Sequence, residues 1–192
     1  MHRRQVGAPD ITASIDLVDS RAHVDRGIGG SRPRLVEIER KFLVGHDVPE
    51  LDPSASTALR QGYLIAADSG EARVRDAGGR FTLTVKIGAG LVRGEYEIEL
   101  TYEQFEVLWP ATEAMRVEKR RYRLPAGERV GEFDIYEGAL EGLMTVEVEF
   151  PTAEDADRFV APKWFGREVT GVPGYSNAEL ARHGMPANGD DS

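Results

Sequence analysis

The chain has 192 residues, 41% of them hydrophobic, which is enough to bury one core of ordinary domain size and too apolar for a chain disordered throughout. Its net charge of -9 lacks the basic footprint of a general nucleic-acid binder, although local basic clusters in an acidic protein still bind small anions. There is no cysteine, and His2, His23, His46 and His183 are too scattered for a zinc motif, so any metal would be a hard cation held by carboxylates.

No apolar run is long enough to span a membrane. Met1-His-Arg-Arg is basic, but no hydrophobic stretch follows it. The expectation is a soluble cytoplasmic protein with no membrane and no nucleic-acid polymer as partner. Residues 1–34 mix Arg, Asp, Ser and Gly and close on Gly27-Ile-Gly-Gly-Ser-Arg-Pro33, which reads as a flexible N-terminal extension. One domain is expected over 35–184, followed by a frayed tail at 185–192.

The first patterned stretch is Val36-Glu-Ile-Glu-Arg-Lys-Phe-Leu-Val44. As a strand it turns Glu37, Glu39 and Lys41 to one face and Val36, Ile38, Phe42 and Val44 to the other. Two carboxylates and an ammonium at this spacing suit a divalent cation beside an anion. Taken alone, a pattern of this kind is more often the solvated face of an antiparallel sheet.

The same kind of strand recurs. Leu59 to Ile65 puts Gln61, Tyr63 and Ile65 on one face. Ala72 to Arg75 pairs Arg73 with Arg75. After the hairpin signal Gly78-Gly79, Arg80 to Ile87 aligns Thr82, Thr84 and Lys86. Gly88-Ala-Gly90 turns into a strand with Arg93, Glu95, Glu97 and Glu99 together; it lacks the Lys-Ser/Thr ending of a phosphate loop. Thr101 and Gln104 form a capping box for a helix over Tyr102 to Trp109. Strands then place Lys119 with Arg121, Glu132 with Asp134 and Tyr136, and Thr145 with Glu147 and Glu149. Thr152 to Val160 and Ser176 to His183 read as capped helices.

About eight strands joined by tight turns make a mainly β (α+β) chain, with the inventory of a closed antiparallel β-barrel. One face of most strands is apolar and the other ionic. Either the charges face solvent around an apolar core, or they line a tunnel with the apolar faces packed under the helices. The helices carry apolar stripes that need a sheet face, and the Arg pairs are segregated from the Glu pairs. Both favour the tunnel, with a few helices outside it. Buried charges must be paired or engaged by ligand, so a tunnel with both signs implies a polyanion and cations inside.

These motifs resemble the CYTH superfamily, the triphosphate tunnel metalloenzymes. The matching stretches run in order: Val36 to Val44, Leu59-Arg-Gln-Gly-Tyr-Leu64, Ala72-Arg-Val-Arg75, Leu83-Thr-Val-Lys86, Arg93 to Glu99, Val117 to Tyr122, Glu132 to Tyr136, Val146 to Phe150 and Tyr175-Ser-Asn177. The pattern is most similar to the short bacterial, single-domain members that resemble inorganic triphosphatases.

The resemblance implies metal-dependent hydrolysis of inorganic triphosphate or a related triphosphate. Glu37, Glu39, Glu147 and Glu149 would hold Mg2+ or Mn2+, with Asp134 a weaker candidate. Lys41, Arg73, Arg75, Lys86 and Arg121 would clamp phosphate oxygens, and Lys119 shares the face of Arg121. Lys41 and Tyr63 are the catalytic candidates, Tyr63 by orienting a phosphate or the attacking water. Arg60 falls on the opposite face; Trp109, Trp164 and Phe165 read as core. Thiamine-triphosphatase, nucleoside triphosphatase and class IV-type adenylate cyclase chemistry stay open, as does a non-catalytic polyphosphate or nucleotide sensor. The oligomeric state stays open too, a homodimer included.

Overall fold

The computed structural model describes residues 38–67, 70–87 and 94–186. The N-terminal extension, Glu37, the Gly88-Ala-Gly90 turn, Arg93 and the last six residues of the tail lie outside them. The strands are β1 (Ile38–Val44), β2 (Thr57–Ala67), β3 (Gly70–Ala77), β4 (Arg80–Ile87), β5 (Gly94–Leu100), β6 (Arg116–Ala126), β7 (Arg129–Tyr136), β8 (Met144–Phe150) and β9 (Phe165–Glu168). The helices are α1 (Tyr102–Leu108), α2 (Ala153–Arg158) and α3 (Asn177–His183), with short 3-10 turns between. Among the described residues, no helix is long and apolar enough to cross a membrane.

All nine strands form one antiparallel sheet in the order β5-β4-β3-β2-β6-β7-β8-β1-β9. The ninth strand is too short to show in a hydrophobic pattern, and among the described residues no ladder joins β5 to β9. The sheet nevertheless curls. Lys41 on β1 and Lys86 on β4 wall the same cavity, although six ladder steps separate their strands. Laid flat, that is about 29 Å at the usual strand spacing.

The apolar faces point outward and are covered over much of the sheet, although Ile87, Tyr96 and Ile98 stay exposed. Phe42, Phe133, Val146, Val148 and Phe150 pack with Ala156 of α2, Trp164 and Phe165. On the other half, Phe105 of α1 stacks on Phe81 at 5.0 Å between ring centroids and on Trp109 at 5.2 Å. Arg60 lies over the Phe105 and Trp109 rings and pairs with Asp76, on the outer face as its parity requires. The charged faces therefore turn inward.

α3 departs from the expectation that the helices pack outside. Its Leu180 packs with Val117, Tyr136 and Leu43, which share the strand faces of Lys119, Asp134 and Lys41. It sits over the inner, charged face. A second departure lies in β2. The register shifts between Tyr63 and Ile65, so Tyr63 pairs with Arg73 but Ile65 pairs with Ala72. This bulge leaves Gln61 and Tyr63 inward and turns Ile65 to the outside, where it is 61% exposed.

Gly62, in the Gln-Gly-Tyr stretch, is fixed by packing. A Cβ there would lie 2.2 Å from Thr112 Oγ1 and 2.5 Å from Thr112 Cβ. Thr112 is held in turn by hydrogen bonds with the Trp109 carbonyl and the Arg116 guanidinium. Gly62→Ala should destabilise the protein by about 1–3 kcal/mol, as overpacking does. Urea denaturation measures this, and an unchanged midpoint would show that the Thr112 turn yields freely.

Candidate active site

Strand register builds the first wall of the site. β6 and β7 place Arg121 opposite Asp134, β7 and β8 place Glu132 opposite Glu147, and β8 and β1 place Glu147 opposite Lys41. Asp134 is 0% exposed. Its Oδ1 accepts from Arg121 Nε at 2.6 Å, and its Oδ2 accepts from Arg121 Nη2 and Lys119 Nζ, each at 2.6 Å. Arg121 also pairs with Glu132 and, at 3.1 Å, with Glu147. The other Glu147 oxygen lies 3.0 Å from Lys41 Nζ.

These contacts set the charge states. Burial alone would push Lys41 down, but the Glu147 carboxylate outweighs it and the ammonium is held above its usual range. Arg121 is likewise raised, against burial, by Asp134 and the two glutamates. Burial would raise the Glu147 carboxyl, yet Lys41, Lys119 and Arg121 hold it well below the usual range.

The second wall comes from β2 to β5 and is less completely neutralised. Lys86 lies 3.3 Å from Glu95; Arg73 reaches Glu71 only at 3.8 Å and Glu95 at 4.0 Å. Arg73 Nε has no hydrogen-bond partner among the described residues. Arg75 donates from Nε to Gln61 Oε1 at 3.1 Å, and Gln61 Nε2 donates to the Tyr63 hydroxyl at 2.6 Å. Burial, with Arg73 and Arg121 nearby, pushes Arg75 down to about 10. Burial pushes the Tyr63 phenol up to about 12, against the pull of Arg73.

Between the walls lies a cavity of about 700 Å³, within the range of small-ligand sites. Of the expected residues, Glu39, Lys41, Tyr63, Arg73, Lys86 and Glu147 wall it. Arg75, Lys119, Arg121, Asp134 and Glu149 are not among its lining residues, and Glu37 lies outside the described residues. Asp134 has both oxygens occupied by Arg121 and Lys119, an arrangement that orients cations rather than one that awaits a metal.

Glu71, Thr170 and Asn177 also line the cavity without having been singled out as site residues. Glu71 was legible: it shares the parity of Arg73, and the strand starts two residues earlier than Ala72. Thr170 and Asn177 arrive on the segment after β9 and have no strand periodicity to mark them.

The donor set suits a hard cation. The register puts Glu39 directly opposite Glu149, two residues along from the Lys41 and Glu147 pair and on the same face. Like charges facing across strands are unfavourable unless a cation lies near. Among the described residues, no three acidic or imidazole groups converge into a ready-made cage. A hard cation commonly takes one or two carboxylates and completes its shell with water and substrate phosphate.

Comparison with known proteins agrees with this geometry. No protein-family model matches the chain. Over 150 residues it is 49% identical to the inorganic triphosphatase of Nitrosomonas europaea, covering 77% of this chain and 97% of the relative. Over 149 residues it is 36% identical to the inorganic triphosphatase of Acetivibrio thermocellus, covering 77% of this chain and 94% of that one. A crystal structure of an inorganic triphosphatase matches with a TM-score of 0.62 and 43% identity, over 80% of this chain and 98% of that one.

The curled antiparallel sheet with a charged inner face defines the class, the CYTH-type tunnel proteins. Within it, the chain belongs to the family of the inorganic triphosphatases.

The Glu147 network makes stability depend on pH. A carboxyl whose pKa is lower folded than unfolded contributes its full stability above the unfolded value, near 4.3, and loses it as pH falls toward the folded value. Glu147→Gln leaves Lys41 and Arg121 short of a partner and should cost about 3–5 kcal/mol at pH 7. The gap between wild type and variant should narrow at pH 3. Denaturant titration at both pH values measures it, and an equal gap at both would show that the charge of Glu147 is not what stabilises the fold.

Proposed function

We propose that the protein hydrolyses inorganic triphosphate to diphosphate and phosphate in the cavity between the two walls, as a soluble cytoplasmic enzyme dependent on Mg2+ or Mn2+. The observation that carries this reading is the cavity itself, where Lys41, Arg73 and Lys86 meet around about 700 Å³ bordered by carboxylates. The relatives named inorganic triphosphatase support the same substrate.

In this reading Lys41, Arg73 and Lys86 bind phosphate oxygens directly. Arg75 and Arg121 add positive potential from behind, and Lys119 is held in place by Asp134. Lys41 acts as a fixed positive charge, because its raised pKa keeps it protonated across the working range. Tyr63, with a pKa near 12, is protonated at neutral pH and donates its hydroxyl proton to a phosphate oxygen or the attacking water. Glu39 and Glu149 would hold the cation, with Glu37 added by the family resemblance, and Glu147, whose two oxygens meet Lys41 and Arg121, would join them by exchanging one of those contacts. When bound, the cation neutralises charge on the transferring phosphoryl group.

The cavity favours inorganic triphosphate over nucleotides. Its aromatic lining residues among those described are Tyr63 and Tyr175, both buried, so neither offers an open ring face to a base.

Phosphate release from a triphosphate panel, with Mg2+, Mn2+ or no metal, tests the proposal. Inorganic triphosphate should be turned over with a higher kcat/KM than ATP or thiamine triphosphate. Equal or higher values for either organic substrate would reverse that ranking.

Two variants on β1 separate the roles. Glu39→Gln removes a carboxylate from the metal side, so raising Mn2+ should restore part of its lost rate. Lys41→Met removes a fixed charge that cation cannot replace, so a loss on the order of a hundredfold or more should persist at saturating metal. Near-wild-type rates in both, with folding verified by circular dichroism, would remove this strand from the chemistry.

A further inference from the structure

The Tyr175-Ser-Asn177 stretch has no part in the reading so far, yet Asn177 reaches the cavity from the first turn of α3. Its Oδ1 accepts two hydrogen bonds, from the Tyr136 hydroxyl at 2.8 Å and from Lys119 Nζ at 3.3 Å. Both donors are buried, and Lys119 is itself anchored to Asp134 at 2.6 Å. This fixes which way the amide faces. Turned over, its NH2 group would meet an ammonium and leave Lys119 short of an acceptor.

The NH2 group must therefore lie on the side away from Lys119 and Tyr136. Asn177 is among the residues that line the cavity shared by Lys41, Arg73 and Lys86, and its side-chain hydrogen bonds among the described residues are those accepted by Oδ1. A neutral donor oriented by two buried partners, on a residue that lines a cavity with three cations, suits an oxygen anion.

We propose that Asn177 is a substrate-binding residue, donating from Nδ2 to a phosphate oxygen of the triphosphate while its Oδ1 holds Lys119. The inference rests on the triphosphatase reading and adds a contact to it. The contact comes from the C-terminal segment, so the binding site is completed by a helix outside the sheet. It also supplies a hydrogen bond without adding charge, in a cavity where each further cation would need its own counter-charge.

Asn177→Asp separates this role from a structural one. The variant keeps an acceptor for Lys119 and Tyr136, so a residue that only braces Lys119 would tolerate it. For a substrate donor, the exchange replaces an N–H with an anionic oxygen facing a polyanion. KM for inorganic triphosphate should rise about tenfold or more, the range expected on losing a hydrogen bond to a charged group, with a smaller change in kcat. The thermal midpoint without ligand should stay at or above that of wild type.

A second measurement needs no folded variant. In 15N-labelled wild-type protein without metal, the Asn177 side-chain amide resonance should shift on titration with inorganic triphosphate. Substitution of Asn177, or selective asparagine labelling if the variant does not fold, identifies that resonance. An unmoved resonance in a wild type that binds triphosphate overturns the proposal, as does a wild-type KM in Asn177→Asp. If wild type neither binds nor hydrolyses triphosphate, the triphosphatase reading itself fails, and that result is distinguishable from the other two.

Discussion

Two cations, Lys119 and Arg121, share one fully buried carboxylate, and the inner face of the sheet is organised outward from that arrangement. Taking three charges out of water is unfavourable unless each finds close, well-directed partners. Asp134 supplies them through both oxygens, Glu132 engages the remaining guanidinium nitrogen Nη1, and Glu147 shares Nη2 with Asp134. The arrangement depends on register, because a one-residue slip of β7 would turn Asp134 into the apolar layer beneath α2 and Trp164. Once β6, β7 and β8 are in register, Glu147 is placed, and through it Lys41 on β1. The charge network and the β-ladder specify each other.

The two walls differ in how fully they neutralise themselves, and that difference gives the site its chemistry. On the β6–β8 side, ion pairs between Lys or Arg and carboxylates close at 2.6 to 3.1 Å. On the β2–β5 side, Lys86 lies 3.3 Å from Glu95, Arg73 lies 3.8 Å from Glu71 and 4.0 Å from Glu95, and Arg75 has a neutral amide as its hydrogen-bond acceptor. The lowered pKa of Arg75 expresses the same imbalance, since burial and two like charges make its protonated form less favourable. A polyanion bound between the walls would relieve it. The fold thus pairs the cations of one wall at close range and those of the facing wall at longer range.

Much of this was legible because a strand with one ionic and one apolar face carries a period of two that survives without knowledge of pairing. Segregation of Arg73 and Arg75 from Glu147 and Glu149, together with the apolar stripes of the helices, pointed to an inward charged face. Three features escaped for physical reasons. β9 is four residues long and includes Gly166, too short for periodicity. The bulge after Tyr63 reverses the parity of Ile65, and its only trace is an apolar residue on the wrong face. α3 carries an apolar stripe like the other helices, but sequence cannot say that Leu180 packs on Val117 and Tyr136 of the inner face. Membership of the ionic set was readable residue by residue. Which members would be spent on one another, as Asp134 and Arg121 are, was not.

The segment after β9 shows why closure of the cavity and placement of Lys41 are linked. The Lys41 backbone N–H donates to Thr170 Oγ1 at 2.9 Å, and its carbonyl accepts from the Val169 N–H at 2.8 Å. Thr170 is held by Glu168, which in turn pairs with Arg40 on the outer face of the same strand. The residue whose ammonium faces the cavity is therefore tied by its main chain to the segment that covers the cavity. Its side chain is tied to Glu147 on the neighbouring strand. A fixed charge lowers a barrier most when it need not reorganise as charge moves during reaction. With main chain and side chain both anchored, Lys41 has little freedom to lose on meeting a phosphate oxygen. The segment that carries Val169 and Thr170 toward Asn177 thus lines the cavity and also holds in place a cation that lines it.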